Sequence, residues 1–240
     1  MLSSRRFLSN AALSRKEQFV QNVTSNGDSI IPSRYKRGAT CKSSVLVPVV
    51  EIGPPSITSS SSFDRLSIVL TKRSSLLRAH RGEICFPGGK CDEGETLEET
   101  ALRETHEETG MAESKLEVWS RLEPVLTSRF DRAVMPIVAE LKDSSILDKL
   151  NPNYDEVEYV FSVPLSHLVS NLSYTLFIHP KFKYRLPVYH VNQFTIHAHS
   201  KTSFIPRSLR IWGLSAIILH QTLSHLSPST YNNAFKVQFY

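Results

Sequence analysis

Cysteine is scarce in this chain of 240 residues: only Cys41, Cys85 and Cys91 are present. Three is an odd number, and the spacings match no zinc or CxxC pattern. Neither a disulfide framework nor a thiolate metal site is expected, and free thiols in a reducing compartment are. A run of about 18 uninterrupted apolar residues, the minimum for a membrane span, is also missing. The longest stretch approaching it, Ile211 to Leu226, is broken by Gly213, His220, Gln221 and His225. No internal repeat is present, and no acid precedes Glu17. A hydrophobic fraction of 40% with 21% charged residues lies in the globular range, which excludes wholesale disorder and collagen-like structure.

What the chain does carry is unevenly distributed charge. The formal net charge is +5, from 28 Lys and Arg against 23 Asp and Glu. Residues 1–43 hold Arg5, Arg6, Arg15, Lys16, Arg34, Lys36, Arg37 and Lys42 against Glu17 and Asp28, a net of 8 − 2 = +6. The rest is therefore at 5 − 6 = −1, which gives little reason to expect a nucleic-acid surface. Met1 to Phe19 has the basic, serine-bearing, acid-poor composition of a mitochondrial transit peptide and lacks the continuous apolar stretch of a secretory signal; a plain basic tail is the alternative. Cleavage is expected between about residues 15 and 35. The chain ends Val237-Gln238-Phe239-Tyr240, which is not a Ser-Lys-Leu type peroxisomal signal. A mitochondrial location is thus the primary expectation, with peroxisome or cytosol as alternatives. The organisation expected is a basic, disordered leader over 1–43, one folded domain over 44–226 and a tail over 227–240.

After Cys41 short apolar runs alternate with breakers. Strands are predicted at Ser44–Ile52, weakened by Pro48, and at Leu66–Lys72, Val118–Leu126, Val134–Leu141, Val157–Val163, Tyr184–Tyr189 and Asn192–His197, with a loop at Ser56–Ser62. Thr96–Thr109 predicts a helix stopped by Gly110, and Pro206–Leu226 a long one opened by proline. Together these indicate a mixed sheet with helices packed on it.

Eight acids fall between Asp92 and Glu108, with Arg103 alone opposing them: Asp92, Glu93, Glu95, Glu98, Glu99, Glu104, Glu107 and Glu108. At 100° per residue Glu104, Glu107 and Glu108 share an arc of about 100° on the helix. Like charges so placed repel by a few tenths of a kcal/mol per pair, so the cluster costs stability unless a cation sits on it. Hard oxygen donors in that number suit Mg²⁺ or Mn²⁺. A solvated acidic face is the simpler reading of a charge run. Against it stands the turn Phe86-Pro87-Gly88-Gly89 just before the helix, where backbone can approach a phosphate closely. Ala101, Leu102 and Thr105 supply a separate packing face. The combination suggests metal-assisted attack on a phosphate ester or anhydride.

Gly89, Glu95, Arg103, Glu104, Glu107, Glu108, Gly110 and Met111 match the Nudix box, G-x5-E-x7-R-E-U-x-E-E-x-G-U, and Thr105 departs from the aliphatic residue the pattern prefers. The chain thus resembles the Nudix hydrolase family. That resemblance implies an α/β/α sandwich and hydrolysis of a nucleoside diphosphate linked to another moiety. It implies Glu104, Glu107 and Glu108 as cation ligands, Glu95 in support and Arg103 holding the carboxylates. For the general base it leaves Glu104 and Glu156 open.

The preceding segment, with Arg73, Arg78, His80 and Arg81 close together, is suited to phosphate groups. Thr71, Arg73, Ser74, Arg78, Gly82, Phe86, Pro87, Gly88 and Gly89 fall in register with the signature of the coenzyme A diphosphatase branch, Val69 being the departure. Looser agreement continues through Met135–Val138, Glu156–Leu165 and Arg210–Ala216, so the resemblance spans about 44–225. It implies cleavage of coenzyme A or its acyl thioesters to adenosine 3′,5′-bisphosphate and (acyl) 4′-phosphopantetheine, with Arg73, Arg78, Gly88 and Gly89 at the substrate. Phe130, Tyr184 and Tyr189 are either pocket lining or core. The partner expected is a small molecule, with no nucleic acid and no membrane span, and nothing in the sequence specifies an oligomeric state. Other readings are a Nudix hydrolase of NADH, a dinucleoside polyphosphate or an RNA cap, and a Nudix-fold module that binds without cleaving.

Overall fold

Strands whose successive side chains are all apolar need cover on both faces, and this requirement shapes the molecule. The structure, a computed structural model, describes residues 13–25, 40–53, 62–127, 131–179, 182–228 and 231. In β1 (Thr40–Glu51) every residue from Leu46 to Val50 is buried, and in β2 (Leu66–Arg73) every residue from Leu66 to Thr71. With β3 (Ile84–Cys85), β4 (Gly88–Lys90), β5 (Leu116–Arg121), β6 (Val125–Leu126), β7 (Arg132–Leu141), β8 (Val157–Pro164) and β11 (Thr195–His199) they form a mixed sheet. Its main order is β11-β8-β2-β1-β7-β5, with β1 and β7 parallel. Pro48 does not interrupt β1; it sits opposite Ala139.

Helix α2 (Leu97–Thr109) covers one face, Ala101 packing with Leu46, Ile137 and Ala139. The other face carries α4 (Gly213–Leu226) and α1 (Arg15–Ser25), where Phe19, Ile218, Leu219 and Leu223 close over Val47, Val49, Ile68, Leu70 and Phe161. The α/β/α sandwich follows. A short α3 (Leu165–Ser170) leads into a second antiparallel sheet, β12-β10-β9, built from β9 (Leu172–His179), β10 (Phe182–Val191) and β12 (Leu209–Ile211).

Two expectations need correction, and two elements were not expected. Residues 206–226 are not one helix: Leu209 and Ile211 turn inward as strand β12, paired to Val191 and Tyr189, and the helix starts only at Gly213. The predicted strand Val118–Leu126 breaks at Pro124 into β5 and β6. Strand β9, absent from the expectations, pairs with β10 from Leu172↔Tyr189 to His179↔Phe182. Part of the stretch expected as a disordered leader is helix α1, and Phe19 at its centre is 1% exposed. Phe19 lies 5.6 Å from the Trp119 ring and 6.1 Å from that of His225. Beyond the expected domain end, Tyr231 is buried and bonds Tyr189 and His220. Residues 1–12, most of the loop at 56–62, Phe130 and the last nine residues lie outside the described residues. No helix among the described residues is long and apolar enough to cross a membrane.

Candidate active site

The carboxylate helix begins with a reciprocal cap. Thr96 Oγ1 accepts from the Glu99 N–H at 3.2 Å, and Glu99 accepts from the Thr96 N–H at 2.9 Å. Glu99 is therefore a capping residue, and Glu98 pairs with Arg121 at 2.9 Å. Two of the eight acids are accounted for by helix structure.

Arg103 organises the next three. Its Nε and Nη2 donate to Glu95 at 2.8 and 3.0 Å, its Nη1 lies 3.0 Å from Glu107 and 3.2 Å from Glu104, and Nη2 also donates to the Lys90 carbonyl at 3.2 Å. The fork on Glu95, with a 2.7 Å bond from Thr100 Oγ1, holds the Glu95 carboxyl at about 2. Glu95 thus acts by fixing Arg103, which in turn aligns Glu104 and Glu107.

Glu108 is in a different setting. Its side chain is 4% exposed; it accepts the Gly88 N–H at 3.3 Å and faces Arg73 Nη1 at 3.8 Å. Burial pushes its carboxyl up to about 8 despite Arg73 and the Gly88 N–H, with Glu104 and Glu156 adding repulsion. Glu104 is raised as well, chiefly by burial. Glu156 sits just before β8, where its backbone carbonyl accepts from Ser74 N–H at 2.7 Å and its side chain from Asn153 Nδ2 at 3.3 Å. The Asn153 N–H in turn donates to the Glu108 carbonyl at 3.1 Å. Glu104, Glu108, Glu156 and Arg73 are thereby brought together from α2, the loop before β8 and the end of β2.

The glycine turn fits against this cluster without spare room. Strand β4 pairs with β1, placing Gly88 opposite Val45. A Cβ on Gly88 would strike the Ser44 carbonyl and Val45, and one on Gly89 would fall on the Glu104 carboxylate. Arg78 stays exposed on the loop after β2, without an ion pair among the described residues, and is not brought to the carboxylates. Tyr189 is core, bonded to Tyr231 at 2.7 Å. Sequence reasoning missed Asn153, the residue that joins the Glu156 loop to Glu108. Beside the site, burial pushes the Cys85 thiol up to about 11, so it stays protonated and is no nucleophile near neutral pH.

Among the described residues no three His, Cys, Asp or Glu side chains converge as a ready metal cage. Arg103 occupies the position between Glu95, Glu104 and Glu107 that a cation would share. The donor set nevertheless fits a hard divalent ion: Glu104 and Glu108 offer carboxylate oxygens whose charge burial disfavours and a cation would restore, and Glu107, 57% exposed, adds a third carboxylate held by Arg103.

A glycine turn feeding a carboxylate-bearing helix on a mixed sheet defines the class: the chain belongs to the Nudix family of hydrolases, and the NUDIX domain matches residues 60–181. It is 39% identical over 242 residues to Nudix hydrolase 3 of Caenorhabditis elegans, across 99% of this chain and 94% of that protein. It is 39% identical over 178 residues to mitochondrial coenzyme A diphosphatase NUDT8 of Mus musculus, across 71% of this chain and 76% of that protein. With the mouse peroxisomal coenzyme A diphosphatase NUDT7 it shares 36% over 156 residues, 65% of this chain and 56% of the relative.

Proposed function

We propose that the protein hydrolyses the diphosphate of coenzyme A or an acyl thioester, giving adenosine 3′,5′-bisphosphate and (acyl) 4′-phosphopantetheine. The observation that carries the reading is Arg73 at 3.8 Å from buried Glu108, with the Gly88 N–H on the same carboxylate. Two residues of the coenzyme A diphosphatase signature, Arg73 and Gly88, thus stand against the Nudix carboxylate Glu108, and relatives bearing that activity in their names support the choice.

Glu104, Glu107 and Glu108 would hold Mg²⁺ or Mn²⁺. When bound, such an ion neutralises diphosphate charge and acidifies water. Arg103, clamped by Glu95, keeps two of these carboxylates aligned, and the Arg73 guanidinium, beside Glu108, would meet the diphosphate. Arg78, on an adjoining loop, would reach the substrate only from outside the carboxylate cluster. Of the two candidates for the general base, Glu104 and Glu156, this reading takes Glu156, which Asn153 steadies, and gives Glu104, engaged by Arg103, to the cation.

Incubation with coenzyme A and Mg²⁺, with products identified by mass, tests the reading; turnover of NADH or capped RNA tenfold above coenzyme A in kcat/KM would refute it. Glu107→Gln and Glu108→Gln should abolish hydrolysis. Glu156→Gln should lower kcat about 10²- to 10⁴-fold while cation affinity persists. For location we propose mitochondrial import, on the basic composition of the amino-terminal segment, one relative being named mitochondrial and another peroxisomal.

A further inference from the structure

Strand alternation sends Arg73 toward Glu108 and its neighbour Lys72 to the opposite face. There Lys72 pairs with Glu158 at 3.1 Å and lies 5.3 Å from the centre of the Tyr159 ring. A cleft of about 430 Å³ opens around them, lined by Arg81, Gly82, Tyr159, Ser208, Arg210 and Trp212. Lys72 is neutralised by Glu158, and the rim acid Glu83 bonds His80 at 2.9 Å. Arg81 gives its Nε to the Leu77 carbonyl, and Arg210 makes no ion pair among the described residues.

Four features mark this cleft as built for a ligand. The 14-residue helix α4 starts at it, with Trp212 in the capping position and no side-chain cap on the helix's amino end. Gly213 has φ +65, and a Cβ there would meet nothing within 4 Å, which leaves the approach to that helix end open. Tyr159 is fully buried in the cleft wall, and its hydroxyl has no hydrogen-bond partner. The Trp212 indole is 52% exposed, although Leu209 and Ile211 just before it are buried. An exposed indole beside an unpaired guanidinium and a helix amino end matches an aromatic base carrying a phosphate.

We propose that this cleft holds the nucleoside phosphate end of the substrate, its base on Trp212 and its phosphate between Arg210, Arg81 and the amino end of α4. The inference rests on the proposed function and adds residues outside the 60–181 family match. One hairpin backs both places. The Arg73 N–H donates to the Glu83 carbonyl at 2.9 Å and the Gly82 N–H to the Arg73 carbonyl at 3.2 Å, so the strand end that meets Glu108 also carries the cleft loop.

The chain has two tryptophans, and Trp119 is 5% exposed, so quenching by a polar solute reports on Trp212. In the full-length protein without added metal, adenosine 3′,5′-bisphosphate should quench emission, and 4′-phosphopantetheine should not. Trp212→Phe should remove the quench, Arg210→Ala should weaken binding at least tenfold, and both should raise KM for coenzyme A with kcat within about twofold of wild type. Quenching by 4′-phosphopantetheine alone, or unchanged binding and KM in Arg210→Ala, would overturn the inference while leaving coenzyme A cleavage standing. Absence of cleavage by the wild type, with the quench retained, would instead overturn the substrate and uphold the cleft as a nucleotide site.

Discussion

Gly89 has no room for a side chain, because a Cβ there would fall on the Glu104 carboxylate rather than on backbone. A carboxylate can swing away, so Gly89→Ala should fold normally yet misplace Glu104, lowering kcat about 10²-fold. Gly88 differs: it has φ +153 and its Cβ would strike the Ser44 carbonyl, so Gly88→Ala should lose stability as well as activity. Thermal unfolding beside kcat separates the two; equal Tm losses would sink the distinction. Residue spacing alone placed Glu104, Glu107 and Glu108 on one helix arc, because 3.6-residue periodicity is local. It was silent on what each acid touches. Glu99 as a cap and Asn153 as a bridge depend on contacts that spacing does not encode.

At the scale of elements, the helix and strands whose pattern was internally consistent were readable, and those whose pattern competed with another were not. Leu209-Arg210-Ile211 was absorbed into the helical stretch after it, because three residues are too few to show alternation and only pairing with β10 reveals a strand. Helix α1 was hidden by the charge around it. Its ion pairs, Arg15 with Glu51 at 3.0 Å and Lys16 with Glu117 at 2.8 Å, are partly exposed and contribute little. Burial of Phe19 carries the docking and contributes about 2 kcal/mol. A chain beginning at Asn26 should lose roughly 4–8 °C in Tm relative to one beginning at Leu13 and shift Trp119 emission to the red. The dock should also respond to pH. Burial lowers the His225 pKa, and its Nδ1 is buried without a partner against Phe19. As pH falls below about 6.5 the unfolded chain takes the proton first, so stability is lost from there downward. His225→Gln should flatten the fall in Tm between pH 7 and 5; an identical slope in the variant would count against this contact.

For the whole molecule, the net +5 conceals a separation of charge that sequence position only partly disclosed. Residues 44–240 sum to −1, yet acids crowd α2 while Arg73 stands at Glu108 and Arg81 and Arg210 line the cleft proposed for the nucleotide. The first two arginines lie close in sequence and were legible as a cluster; Arg210 is far along the chain and joins them only through β12. Such an arrangement acts on a polyanionic substrate through its local field, not through net charge, and the field is screened over about 8–10 Å at ordinary ionic strength. KM for coenzyme A should therefore rise severalfold as KCl increases from about 0.05 to 0.3 M, while kcat, set inside the carboxylate cluster, stays nearly constant. Arg210→Ala should show a shallower salt dependence of KM than the wild type, since one of the screened attractions is already gone. Parallel slopes for the two proteins would place Arg210 outside the substrate's path, and a KM indifferent to salt would remove the electrostatic argument for all three arginines.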